Sequence, residues 1–377
     1  MIKSTLVLEG GANRGVFTAG VVDYFMDRDL NFSHVIGVSS GACNAVDYVS
    51  EQRGRTKDCM IINDENNRYI KFDNLVRGKP FIDLEKVIVE FGNKQFPFNF
   101  EKYSKSEKKC FLVTTNAETG EAEYLDDRDN KDRLFQIVKA SCTLPFICPE
   151  TKVDDKPYFD GGVADSIPID FAKSLENEKI IVILTQAASY LKENPSIVER
   201  ELMMTMYQQK YPKMCSTYLE RWKNYNETLN KIDALEKAGE IFVIRPTRSI
   251  VDRAEQDMTK LEATYQHGYE IGRALYSELC KYLEIEETLD LRSNIQVVKQ
   301  LYNQLYVNKS LEKIKAYLDC EIIDVNITYF ELLNIYEIDN QVFAEIKGIA
   351  NGKIIYEIQK FYLENLVIKD YQRYQLI

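Results

Sequence analysis

The chain has 377 residues, 45% of them hydrophobic and 28% charged, with a formal net charge of −11; that length accommodates one large domain with a buried core and a smaller second one. The acidic balance, with no basic face evident, argues against a nucleic-acid partner and against unassisted docking to anionic membranes. No run approaches the roughly 18–20 apolar residues of a bilayer-spanning helix, and the apolar stretch in "MIKSTLVLEGG" ends at Glu9 without the longer core and cleavage site of a signal peptide, so a cytoplasmic location is expected.

In chain order, residues 5–8, "TLVL", predict a short apolar strand that runs into the glycine-rich "EGGANRG". Phe17, Val21, Tyr24 and Phe25 then follow at i, i+4, i+7 and i+8, one face of an amphipathic helix. "HVIGV" predicts a second strand leading to Ser39, and "SGACNAVDY" a helix after it. "CFLVTTN" and "EAEYL" around "AETG" predict a β-hairpin. A helix over about 132–140 stops at "CTLPFICPE", where Pro145 and Pro149 prevent continuation. "PYFDGG" predicts a strand end and a tight turn. "KIIVILTQ" and "EIFVIRP" predict two buried strands separated by a long helical region over about 196–237, and residues 253–283 predict a final long helix with Leu261, Tyr265 and Tyr269 on one face. This alternation predicts an α/β domain with a mostly parallel sheet.

The character changes near residue 288. Residues 291–317 predict one helix, and the remainder is rich in Ile, Tyr, Val and Phe with turn signals at Asp339-Asn340 and Asn351-Gly352. The expected organisation is a first domain over 1–288 and a small α+β module over 289–377. That module could cover a site, pair subunits or bind a ligand. Eight cysteines, at 43, 59, 110, 142, 148, 215, 280 and 320, show no C-x-x-C pair and no histidines at zinc spacing, which predicts mostly buried free thiols and no metal site.

The chemistry centres on "GVSSG". Gly37, Ser39 and Gly41 fit G-x-S-x-G, the nucleophile elbow between a strand and a helix; the same residues also suit a plain tight turn. A serine hydroxyl needs a base. His34 lies on the same predicted strand, about 16 Å away at about 3.3 Å per residue, and His267 sits in a helical pattern as a structural or solvent-facing residue. An active Ser39 therefore calls for a carboxylate. Asp160 in "FDGG" follows an apolar strand and precedes Gly161 and Gly162, which allow a tight turn at the strand end, although Asp beside Gly also marks ordinary turns. "GGANRG" offers bare amides at a helix start for an oxyanion. It could instead bind a phosphate or serve only as a turn. It is not a G-x-x-x-x-G-K-[ST] loop, and the dinucleotide fingerprint fails at Ala12.

In this order, "EGGANRGVFTAG", "GVSSGA" and "DGG" resemble the patatin-like phospholipase family, in particular its bacterial members, over roughly residues 1–285; "ASCTLPFICPE" resembles that family's proline-containing stretch before the aspartate. The resemblance implies a three-layer α/β/α fold and a Ser-Asp dyad acting on acyl esters of lipids. By motif it makes Ser39 the nucleophile and Asp160 the base, and it puts Gly10, Gly11 and Ala12 in the oxyanion loop, with Arg14 and Gly15 completing its pattern. Ala12 stands where many relatives have a third glycine, so its φ range is narrower. No cofactor is implied. The expected partner is a lipid or other acyl-ester substrate, with transient contact at a membrane surface. Met203, Met204, Met206, Tyr207 and Met214 could line an acyl pocket, or be core. Acyl transfer and catalytically silent lipid binding are the alternative functions. No motif specifies the head group, the acyl length or the oligomeric state.

Overall fold

The computed structural model of the chain describes all residues except 63, 65–67, 71–81, 176, 178, 288–293, 303–304, 306–317, 319–326, 339–340, 351–352, 365–366 and 377. They divide into two compact units, Met1–Glu286 and Glu287–Ile377.

The strands of the first unit are β1 (Ile2–Leu8), β2 (Phe32–Val38), β3 (Lys109–Asn116), β4 (Ala122–Leu125), β5 (Thr151–Val153), β6 (Lys156–Asp160), β7 (Lys179–Ile183) and β8 (Phe242–Ile244). They pair in the order β5-β6-β3-β2-β1-β7-β8, with β4 also on β3. The β3-β2-β1-β7-β8 portion is parallel, and β4, β5 and β6 add antiparallel pairs. Alternation along each strand splits the apolar residues between two cores. Leu6, Leu8, Val35, Leu112, Ile181 and Ile183 face α1 (Gly15–Asp27), α2 (Ser40–Val49), α6 (Lys131–Ser141) and α11 (Tyr276–Leu283). Val7, Ile36, Val38, Val113 and Val182 face α7 (Ile169–Ser174) and α9 (Pro212–Lys237). Coverage of both faces explains why these strands read as unbroken apolar runs. The architecture is a three-layer α/β/α sandwich.

Three expectations need correction. Phe17, Val21, Tyr24 and Phe25 lie on α1 as predicted, but α1 is buried on every side from Gly15 to Phe25 rather than amphipathic. The cause is α10 (Met258–Ala274), which packs over its outer face: a Cβ on Gly20 would stand 2.1 Å from the Tyr265 carbonyl oxygen, and one on Gly268 2.0 Å from that of Phe17. The helical region over 196–237 is two helices, α8 (Ile197–Tyr207) and α9, because Pro212 cannot continue a helix and instead starts one. The helix expected from residue 253 begins only after the Asp257 cap and is itself divided at Leu275 between α10 and α11, which leaves Arg253 in a loop. Elements without a prior expectation are α3 (Arg55–Met60), α4 (Glu85–Gln95, a π-type helix), α5 (Phe100–Lys105), β5 and α7.

The Gly20 contact carries a prediction. Gly20→Ala is expected to cost about 1–3 kcal/mol by forcing α1 and α10 apart, read as a lower denaturation midpoint; an unchanged midpoint would refute this close packing.

The second unit is an antiparallel sheet in the order β12-β11-β10-β9, formed by β9 (Ile327–Ile338), β10 (Gln341–Ala350), β11 (Lys353–Glu364) and β12 (Val367–Leu376). One sheet face, with Val342, Ala344, Ile346 and Phe361, packs on Val297, Val298 and Leu301 of α12 (Asn294–Tyr302). Most of the rest of the helix expected over 291–317, and the turn residues 339–340 and 351–352, lie outside the described residues. All seven described cysteines are free, five of them buried, and Cys320 lies outside that set. No described helix is long and apolar enough to cross a membrane.

Candidate active site

Strand β2 delivers Ser39 at its end, and α2 starts one residue later. Ser39 adopts φ 56° and ψ −123°, a conformation that costs a non-glycine residue on the order of 1–3 kcal/mol. The neighbouring glycines make so tight a turn feasible. A Cβ at Gly41 would lie 2.3 Å from the Leu8 carbonyl oxygen, and one at Gly37 2.4 Å from that of Gly41. The Ser39 amide donates to Ser141 Oγ at 2.9 Å, and that hydroxyl donates to the Val113 carbonyl at 2.6 Å. Ser141 thereby ties the elbow to β3. It belongs to the "ASCTLPF" stretch, which was its only signal in the sequence.

Asp160 closes β6, beside Thr114 of β3. Its Oδ1 accepts from the Gly162 amide at 2.8 Å, and its own amide donates to the Thr143 carbonyl at 2.7 Å. Gly161 permits this turn because a Cβ there would stand 2.2 Å from the Val113 carbonyl oxygen. The side chain is buried, at 2% exposure, and Oδ2 has no hydrogen-bond partner among the described residues. Burial pushes the Asp160 pKa above its ordinary value, opposed first by the nearby Ser39 hydroxyl and then by the charge of Arg221. Ser39 and Asp160, 121 positions apart, thus line one pocket.

The loop after β1 lines the same pocket through Gly10, Gly11, Ala12 and Arg14. A Cβ on Gly10 would meet Ser39 Cβ at 2.9 Å, so this backbone lies directly against the serine. The amides of Glu9, Asn13 and Arg14 donate to the carbonyls of Ile183, Arg253 and Gly11, whereas among the described residues no backbone carbonyl outside the regular elements accepts from Gly10, Gly11 or Ala12. Ala12 sits at φ 49°, in the left-handed region, so it tolerates there a conformation that glycine adopts without strain. Gly15 abuts Ser40, whose Oγ would be 2.5 Å from a Cβ at that position. Glu9 anchors the loop from below: at 4% exposure, its carboxylate accepts from the Thr185 amide at 2.6 Å and from the Tyr225 hydroxyl at 2.7 Å.

Two contrasting spaces meet at Ser39. One is an apolar cavity of about 110 Å³ whose wall includes Cys43, Val46, Leu84, Ile88, Phe135 and Leu144 from α2, α6 and the turn after it, and the start of α4. Among the described residues its wall holds one ion pair, Arg55 with Asp47 at 2.7 Å. The other is the polar pocket, of about 40 Å³, and six of its residues also line a wider recess of about 900 Å³. Ala12, Ser39 and Leu144 border both the cavity and the polar pocket.

Other sequence expectations fall elsewhere. Met203, Tyr207 and Met214 are buried in a cluster with Phe159 and Val163, while Met204 and Met206 are 46% and 48% exposed. None of the five lines the Ser39 pocket or the apolar cavity, so the core reading holds for the buried three. His34 contacts Ser33 and Asn177, and His267 lies against Phe17 and Thr247; neither borders Ser39. The sequence reading missed Lys192, Arg221, Tyr225 and Arg253, which line the polar pocket. They carry no motif, and only their meeting in space marks them.

Comparison with known proteins fits this arrangement. Residues 6–173 match the family model of patatin-like phospholipase, and residues 211–284 match a family described as a domain of unknown function. The uncharacterized protein YjjU of Escherichia coli (strain K12) is 28% identical over 203 residues, covering 52% of this chain and 56% of that protein. The probable lipid hydrolase 463L of Invertebrate iridescent virus 6 is 25% identical over 211 residues, covering 50% and 72%. The Mus musculus protein named 1-acylglycerol-3-phosphate O-acyltransferase Pnpla3 is 26% identical over 142 residues, covering 37% and 33%. The match thus spans little more than half of the Escherichia coli relative and a third of the mouse one.

Proposed function

We propose that this chain, which carries a patatin-like phospholipase domain at residues 6–173, hydrolyses acyl esters of lipids with Ser39 as nucleophile and Asp160 as its base. The observation that carries the reading is the pairing of a strained serine with a buried carboxylate whose Oδ2 is unpartnered, beside a loop of open amides.

Ser39 Oγ attacks the ester carbonyl while its proton passes to Asp160. The tetrahedral oxyanion is held by amides of the Gly10–Ala12 loop, each such donor contributing on the order of 10²–10³ in rate. Collapse expels the alcohol, protonated by Asp160, and leaves the acyl group on Ser39. Water, deprotonated by Asp160, then releases the acid and restores the serine. No step needs a cofactor. The apolar cavity is where the acyl chain would lie. The free thiols support the cytoplasmic setting this reading adopts.

A fluorophosphonate probe tests the reading. It is expected to label one serine stoichiometrically, located at Ser39 by peptide mass spectrometry. Failure to label the folded protein, or labelling that persists in Ser39→Ala, would sink the proposal and favour a silent lipid-binding protein. Acyl transfer is the second reading, favoured by the mouse relative's name; an added alcohol acceptor that diverts the acyl group from water would reveal it.

A further inference from the structure

A protein of net charge −11 surrounds its candidate serine with cations. Arg14, Lys192, Arg221 and Arg253 line the polar pocket, against two carboxylates, Glu9 and Asp160. Glu9 is already engaged by Thr185 and Tyr225, and Asp160 faces Ser39 and Arg221. None of the four cations has an ion-pair partner among the described residues, and Nε of both Arg14 and Arg221 is buried without a hydrogen-bond partner. Buried donors left open in this way are costly unless a ligand accepts from them.

The four cations converge from separated parts of the chain. Arg14 follows β1, Lys192 precedes α8, Arg221 is on α9 and Arg253 lies in the loop before α10. The Asn13 amide donates to the Arg253 carbonyl at 3.2 Å, which fixes that loop beside the glycines. Their mutual repulsion is felt: the Lys192 pKa is lowered to about 6, first by burial and then by Arg221 and Arg253, with Glu9 opposing. Burial and Arg253 likewise lower the pKa of Arg14. The three arginines against two carboxylates leave a surplus of one charge while Lys192 is neutral, and an arriving phosphate, by offsetting the repulsion that lowers the Lys192 pKa, favours its protonation and a surplus of two, which matches the roughly −1.5 to −2 of a phosphate monoester. Arginine forks suit its oxygens. The apolar cavity occupies the other side of Ser39, so the cationic pocket opens where the alcohol part of an ester would leave, towards the wide recess.

We propose that Arg14, Lys192, Arg221 and Arg253 form a phosphate-binding pocket on the alcohol side of Ser39, so that the preferred substrate is an acyl ester whose leaving alcohol carries a phosphate. This deepens the hydrolase reading and rests on it. It also gives a role to the segment matched to a domain of unknown function, residues 211–284, which supplies Arg221 and Arg253.

The test uses the full chain. A monoacylglycerol and the same compound bearing a phosphate on its alcohol side are compared as substrates, and the phosphate form is expected to have kcat/KM at least about tenfold higher, the scale of one charge-assisted hydrogen bond. In Arg253→Gln and Lys192→Gln that ratio is expected to fall towards one, chiefly through KM; a merely structural role would lower both substrates alike. Ser39→Ala, with the pocket intact, is titrated calorimetrically with glycerol 3-phosphate and with inorganic phosphate, and the former is expected to bind more tightly. Equal rates on the two esters by an active enzyme would overturn the proposal and leave the hydrolase reading intact. Binding of inorganic phosphate as tight as that of glycerol 3-phosphate, without an ester preference, would also overturn it in favour of a free-phosphate site. Hydrolysis of no ester, with glycerol 3-phosphate still bound, would remove the hydrolase reading and keep the pocket.

Discussion

Ser39→Ala is expected to lower ester hydrolysis by about 10⁵–10⁶-fold, the loss that follows removal of a catalytic nucleophile, while the fold survives. The hydroxyl makes no contact on which the elbow depends: the turn is held by the Ser39 amide on Ser141 and by glycine contacts with β1. Alanine keeps the strained φ of 56°, so its stability should be close to that of the wild type. Ser39→Gly separates the two roles of the position. Glycine adopts this φ freely, and relief of strain, less the larger unfolded-state entropy of glycine, should make that variant more stable by about 1 kcal/mol while equally inactive. A variant more stable than the natural sequence at the residue proposed to act would show that strain is retained for chemistry. Retention of a tenth of the activity in Ser39→Ala would end the argument for this serine.

Asp160→Asn is expected to reduce kcat by about 10²–10⁴-fold, the usual contribution of a positioned general base. The variant tests chemistry and not folding. Because burial raises the Asp160 pKa in the folded state, the folded protein binds this proton more tightly than the unfolded chain does. The ionised group therefore subtracts stability as pH rises through that raised pKa, and a neutral amide should leave the protein at least as stable at neutral pH. The same shift sets the acid limb of the rate profile. Activity requires ionised Asp160, so kcat/KM should be full above the raised pKa and fall as pH drops through it, at a pH higher than an ordinary aspartate near 3.9 would give. The residual activity of Asp160→Asn should lack that limb. Undiminished wild-type hydrolysis down to pH 4 would exclude Asp160 as the base.

Much of the α/β framework was legible because its signals are local. "TLVL", "HVIGV" and "KIIVIL" are short apolar runs, and a strand covered on both faces needs no more than that. The hairpin was legible in "NAETGE", where Gly120 takes φ 71° at the turn. The long helices were read less well. Pro212 starts α9, and the α1 pattern marked a helix without revealing that α10 would cover its outer face. The apolar cavity was not legible at all. Its wall includes the start of α4, for which there was no expectation, while the methionine-rich stretch, open in the sequence to either pocket or core, packs elsewhere or faces solvent.

By itself the sequence determined the alternation of strands and helices, the glycines that allow an elbow and an open loop, and the scarcity of histidine that turned attention to a carboxylate. These are properties of neighbouring residues, and steric allowance and hydrophobic period act within a few positions of the chain. Only the tertiary structure decided that Asp160 faces Ser39, that an apolar space and a cationic one meet there, and that Arg14, Lys192, Arg221 and Arg253 surround the second. Their approach is set by parallel crossovers and by α9 lying across one face of the sheet, and a charge leaves no periodic trace from which such a meeting could be read.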